Sequence, residues 1–99
     1  MALNSLGSVL KKLGRLGAAR ACLESALARK PGLAHAHNNL GAVLDSLNDR
    51  PDARRAHEQA LVVDPDLPAA HLHLGQWWMD ASDPDAPARA EHHLQEAAR

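Results

Sequence analysis

Leu40-Gly41-Ala42-Val43-Leu44 has a counterpart on each side, Leu6-Gly7-Ser8-Val9-Leu10 before it and Leu74-Gly75-Gln76-Trp77-Trp78 after it, with the glycines 34 positions apart. Other positions keep the same interval of 34: Ala19 with Ala53, Ala26-Leu27 with Ala60-Leu61, and Pro31 with Pro65. A fixed period of this length means one supersecondary unit stacked on copies of itself. Within each unit a Gly and two Ala remove side-chain bulk where two helices cross closely, and Leu at helical intervals fills the space beside them.

Each unit therefore reads as two antiparallel helices, predicted over 2–13 and 18–29, 35–47 and 51–63, and 69–81 and 87–98. Pro31-Gly32 and Pro65 with Pro68 end the second helices. Pro51 and Pro87 stand near helix starts, where a missing N–H does little harm. The third copy departs from the period once: Leu74-Gly75 and Trp78 are on schedule, but Ala90, Leu94 and Ala97 come three residues late. The extra residues fall in Ser82-Asp83-Pro84-Asp85-Ala86-Pro87, a turn sequence, so the insertion lengthens a loop and leaves both helix faces intact.

Spacing and content resemble the tetratricopeptide repeat, whose pattern is W-x2-L-G-x2-Y, then A-x3-F, then P. Leu6-Gly7, Leu10, Ala19, Leu23, Ala26 and Pro31 form one copy, and Leu40-Gly41, Leu44, Ala53, His57, Ala60 and Pro65 the next. The large aromatics of that pattern are mostly replaced, by Leu3, His37 and His71 four before the Gly and by Leu10 and Leu44 three after it. The resemblance covers essentially the whole chain. It implies an all-α, right-handed α-solenoid of three antiparallel helix pairs, one domain over 1–99 with repeats at 1–33, 34–67 and 68–99.

Composition agrees. The 99 residues are 45 % hydrophobic, with two aromatics, so the core is built from Leu, Ala and Val. Ile, Phe, Tyr and Thr are absent, which removes most strong strand formers. No apolar run is long enough for a membrane span, the first residues lack the basic start of a signal peptide, and the single Cys22 has no internal partner. A reduced, cytoplasmic setting is expected, with Cys22 a small filler. The net charge of −1 conceals an asymmetry: residues 1–34 set six cations against Glu24 alone, a balance of +5, whereas 35–67 and 68–99 are each −3. Such a gradient orients a partner along the solenoid, or one molecule against the next; a scattered solvated surface is the plainer reading.

No nucleophile-base constellation, phosphate loop or Cys pair is present, so no catalysis and no cofactor are expected. Seven His invite a metal reading. His35 with His37, His71 with His73, and His92 with His93 are one or two apart, however, whereas helical metal pairs stand at i, i+4. His37 and His71, 34 apart at the family's Trp position, read as packing residues, and no metal is expected. The few basic residues disfavour nucleic acid.

In tetratricopeptide folds the first helix of each pair lines a concave groove, and the resemblance carries that role to positions three and two before the Gly and one, four and five after it. They are Asn4, Ser5, Ser8, Lys11 and Lys12; Asn38, Asn39, Ala42, Asp45 and Ser46; and Leu72, His73, Gln76, Met79 and Asp80. Asn4, Ser8, Lys11, Lys12, Asn38, Asn39, Asp45, His73 and Gln76 are the expected peptide contacts. Asn39-Leu40-Gly41 resembles a rung of the asparagine ladder in repeats attached to O-GlcNAc transferases, although Ser5 and His73 replace its neighbours. Of the carboxylate clamp of chaperone-binding members, mapped onto Asn4, Ser8, Asn39, Ala69 and His73, only Asn39 agrees.

Trp78 takes the family's Tyr position in the core. Trp77, equivalent to Val9 and Val43, is expected to face a following unit, and so to form an end interface after the last one. The sequence thus describes a non-catalytic scaffold binding an extended peptide or protein partner, with homo-oligomerisation through the solenoid ends in view. A self-association module, or an accessory repeat region of a larger protein such as a glycosyltransferase, is the alternative.

Overall fold

The Leu-Gly segments lie in the odd-numbered members of six helices: α1 (Leu3–Lys12), α2 (Leu16–Arg29), α3 (Ala34–Ser46), α4 (Arg50–Val63), α5 (Pro68–Asp80) and α6 (Ala86–Ala97). The computed structural model describes residues 3–81 and 84–99, with the side chains of α1 from Leu6 onward. The side chain of Asn4, and Ser82 and Asp83 of the expected turn, lie outside the described residues. Helices α2 to α6 begin one or two residues earlier than the spacing predicts; in α5 the first residue is Pro68, expected to lie before the helix.

The close crossing predicted at each Gly is present. A Cβ on Gly7 would lie 2.7 Å from Leu23 Cγ, one on Gly41 2.6 Å from His57 Cε1, and one on Gly75 2.7 Å from Leu94. Within each pair, the side chain that follows the first conserved Ala by four thus lies against bare backbone. Between pairs, α2 packs on α3 and α4 on α5. Ala19, Leu23, Ala36 and Val43 form one buried cluster, and Ala60, Leu67 and Ala70 another. The first helices also touch one another, α1 with α3 and α3 with α5, while the second helices do not. The array therefore bends with α1, α3 and α5 inside.

Two features the spacing did not disclose fix the joints. Gly14 (φ 78°) and Asn48 (φ 64°), again 34 apart, take the left-handed conformation that ends α1 and α3. Behind them, the N–H of Arg15 reaches Leu10 O at 2.9 Å and that of Asp49 reaches Leu44 O at 2.8 Å. The His at the Trp position makes the second joint: His37 Nε2 donates to Pro31 O and His71 Nε2 to Pro65 O, both at 2.8 Å. Each imidazole ties the end of one pair to the start of the next.

Gly41→Ala is expected to destabilise the protein by about 1–3 kcal/mol, because the His57 ring is fully buried and cannot swing aside. Gly17→Ala, in α2 with nothing within 4 Å of the new methyl, is expected to stabilise it by about 0.4–1 kcal/mol. Thermal unfolding followed by circular dichroism checks both, and equal melting temperatures for wild type and Gly41→Ala would refute the crossing.

Candidate functional site

The inner face carries most of the expected groove residues. Ser8, Lys11, Asn39, Asp45 and His73 are half-buried, Lys12 and Gln76 exposed. They come from three neighbouring helices, and three of them interact: beyond its burial, which pushes the His73 pKa down, Asp45 raises it and Lys11 lowers it. Leu72 and Met79, at the same register of α5, are 43 % and 65 % exposed. The third repeat thus adds an apolar margin to an otherwise polar face.

Asn38 departs from expectation. It is 4 % exposed and turned away from the groove. Its Oδ1 accepts from His57 Nδ1 at 2.7 Å and from His73 Nδ1 at 3.0 Å. The position three before the Gly lies at the junction of α3, α4 and α5, where a polar side chain is kept only by such partners. The two imidazoles stack, with centroids 4.7 Å apart. His57 Nε2 is buried without a hydrogen bond, and Asp45 Oδ2 stands 3.9 Å away. Asp45 is itself held by Arg50 Nη1 at 2.8 Å, so part of its charge is spent within the fold.

Trp77 also departs from expectation, and for a reason that reverses the assumed direction of packing. It is half-buried and faces the preceding pair. Its Nε1–H donates to Arg50 O at 2.8 Å, and the Arg50 and Arg54 guanidinium carbons lie 5.1 and 5.2 Å from the ring centroid. Val43, its equivalent, is likewise buried against the preceding α2. The position therefore docks backward, and Trp77 is not an end interface. Arg50, which sequence reasoning missed, joins three helices, since its Nη2 also donates to Trp77 O at 3.2 Å. Its repeat-equivalent is Leu16, so no periodic signal marks it.

His71 of α5 meets His92 and His93 of α6. His71 Nε2–H is committed to Pro65 O, so His71 Nδ1 accepts, and His93 Nδ1 donates to it at 3.0 Å. His92 lies beside both rings. Among the described residues no group of three or more His, Cys, Asp or Glu is placed to hold a metal ion. Trp78 is buried with Ala86 and Ala90. Cys22 is free and half-buried.

Burial is the main cause that pushes His57 down to about 3 and His93 down to about 4, with His73 acting on the first and His71 on the second. Both stay neutral when folded and take up a proton near 6.5 when unfolded. Their contribution to stability is complete above about pH 6.5 and is lost as the pH falls toward those lower values. Urea unfolding is expected to show stability declining from about pH 7 to about pH 5, with a shallower decline in His57→Leu. Equal slopes for the two proteins would contradict this assignment.

No helix among the described residues is long and apolar enough to cross a membrane. Comparison with curated proteins gives no match. Among solved structures, a crystal structure of MamA superposes with a TM-score of 0.85 at 24 % identity over 97 % of this chain, and a MamA RS-1 double mutant with 0.83 at 28 % over 94 %. The chain spans about half of each, 54 % and 52 %. The fold is that of the same helical-repeat solenoid, a type of scaffold for protein interaction. The sequence model of the tetratricopeptide repeat matches residues 1–64, and the chain belongs to that family.

Proposed function

We propose that the chain is a non-catalytic interaction scaffold whose three repeats, 1–33, 34–67 and 68–99, act as one domain and hold an extended peptide or protein partner along α1, α3 and α5. The observation that supports this reading is the set of half-buried or exposed polar side chains at equivalent positions of the three first helices, Ser8 and Lys11, Asn39 and Asp45, His73 and Gln76, of which Asp45 and His73 are also bonded within the fold. A peptide backbone lying across them finds donors and acceptors without a conformational change in the helices. Lys11 and Lys12 at one end and Asp80 at the other orient it by charge. Leu72 and Met79 offer an apolar side chain its contact. Neither nucleic acid nor membrane is a partner in this reading, and the free Cys22 fits a cytoplasmic setting. Copies joined through their ends would extend the same groove.

Peptides selected from a random display library on the immobilised chain supply a probe. In calorimetry, Gln76→Ala and Asn39→Ala are each expected to weaken the selected peptides about fivefold, the equivalent of roughly 1 kcal/mol. Lys11→Glu should flatten or reverse the salt dependence, while Val62→Ser on outer helix α4, where Val62 is 74 % exposed, should leave affinity unchanged. Peptides indifferent to the three inner-face changes but lost with Val62→Ser would overturn the groove.

A further inference from the structure

His73 stands two residues before Gly75, at the register that Asn39 holds before Gly41. Both are half-buried. Asn39 is so with a repeat on either side of it, so this register opens onto the inner face by its place on the helix and not for want of a neighbouring repeat. An amide there both donates and accepts, whereas each nitrogen of a neutral imidazole does one or the other, and the tautomer decides which. In His73 a neighbour makes that choice.

Asn38 Oδ1 accepts from His73 Nδ1 at 3.0 Å and from His57 Nδ1 at 2.7 Å. A carbonyl oxygen has lone pairs for both and no hydrogen to give, so each ring carries its proton on Nδ1 and leaves Nε2 a bare acceptor. The rings are stacked, 29° from parallel, with both Nδ1 atoms on one oxygen. Both Nε2 atoms are therefore turned to the same side, that of Asp45, whose Oδ2 is 3.9 Å from His57 Nε2. There the two rings differ. His57 Nε2 is sealed inside the fold without a hydrogen bond. His73 Nε2, on a half-buried ring, is not sealed in and has no hydrogen bond among the described residues. The nearest donor, Arg50 of α4, gives Nη1 to Asp45 Oδ1 and Nη2 to Trp77 O. Burial and the charge of Lys11 on α1 keep a second proton off His73, against the pull of Asp45 on α3.

We infer that His73 Nε2 is a donor-reading subsite of the inner face, which takes a backbone N–H of the bound peptide and refuses a carbonyl, and that Asn38 is the positioning residue that sets it. The peptide half of this inference rests on the groove reading above; the tautomer half does not. Asn39 and Gln76 are amides, the kind of group that meets either an N–H or a C=O, and His73 meets only the first. A peptide is thereby fixed in register along α5, with a free N–H opposite His73 and so neither a proline nor an N-methylated residue there.

The tautomer is read without any ligand, from the imidazole nitrogen resonances of the chain labelled with 15N-histidine at neutral pH. Nδ1 protonated and Nε2 unprotonated are expected in both His57 and His73. A protonated Nε2 on His73, the result if the Asn38 amide were turned to donate through Nδ2, would overturn the inference. The peptide selected from the display library is then N-methylated at one residue at a time. A single position is expected to lose about fivefold or more in affinity for the wild-type chain, and to lose nothing further in His73→Phe, whose ring keeps the stack without the acceptor. Asn38→Asp, which retains the accepting oxygen, is expected to keep that sensitivity, and Asn38→Leu to lose it as the imidazole becomes free to take either tautomer; the wild-type spectrum decides the matter if Asn38→Leu does not fold. Peptides weakened by Asn39→Ala and Gln76→Ala but without a methyl-sensitive position that depends on His73 would overturn the inference alone. Peptides indifferent to all three positions would overturn the groove reading with it.

Discussion

Every joint within a helix pair rests on one contact: a side chain of the second helix set against the bare Cα of a glycine in the first. Leu23 meets Gly7, His57 meets Gly41 and Leu94 meets Gly75, at approaches of 2.6 to 2.7 Å to where a Cβ would stand. The helices cannot draw so near if the first carries any side chain there, and without that approach Ala19, Ala53 and Ala90 lose their close packing. The chain distance to the contacted residue is sixteen in the first two pairs and nineteen in the third. The longer loop before α6 absorbs the difference, so the crossing is kept while the sequence spacing is not.

What could be read from the sequence follows from this constraint. A position where no side chain fits admits one residue, and three glycines at a fixed interval therefore announce the helix pairs, their length and their number. The small residues Ala53 and Ala60 are legible for the same reason. The buried polar set was less legible. His57 occupies the site filled by Leu23 and Leu94, and nothing in its spacing says that its Nδ1 donates to Asn38, which also accepts from His73, while its Nε2 is left without a hydrogen bond. Asn38 and Asn39 are adjacent in sequence, yet a rotation of about 100° sends one into the core and leaves the other on the inner face. Trp77 shows a further limit: repeat equivalence to Val43 tells which residues share a role, but not toward which neighbour they point. Arg50 has no periodic counterpart at all.

The inner face inherits its character from the same packing. Where a following pair covers a register, as at Asn38 and Asp45, polar residues are engaged inside the fold, with Asn38 serving two imidazoles and Asp45 serving Arg50. Where none covers it, as at Leu72 and Met79, apolar residues are exposed. Recognition is thus divided between a polar stretch over α1 and α3 and an apolar margin on α5. The bond from His57 to Asn38, and the His73 ring stacked on that of His57, tie α3, α4 and α5 together.

Gly41 is glycine because the His57 ring lies against it, and a double-mutant cycle tests that pair. Unfolding free energies would be measured for wild type, Gly41→Ala, His57→Ala and the double variant. Strong coupling is expected: with the ring removed, the added methyl at Gly41 costs little or nothing, and the cycle departs from additivity by about 1–3 kcal/mol. Strictly additive effects, with Gly41→Ala as costly in the absence of the ring as in its presence, would contradict it.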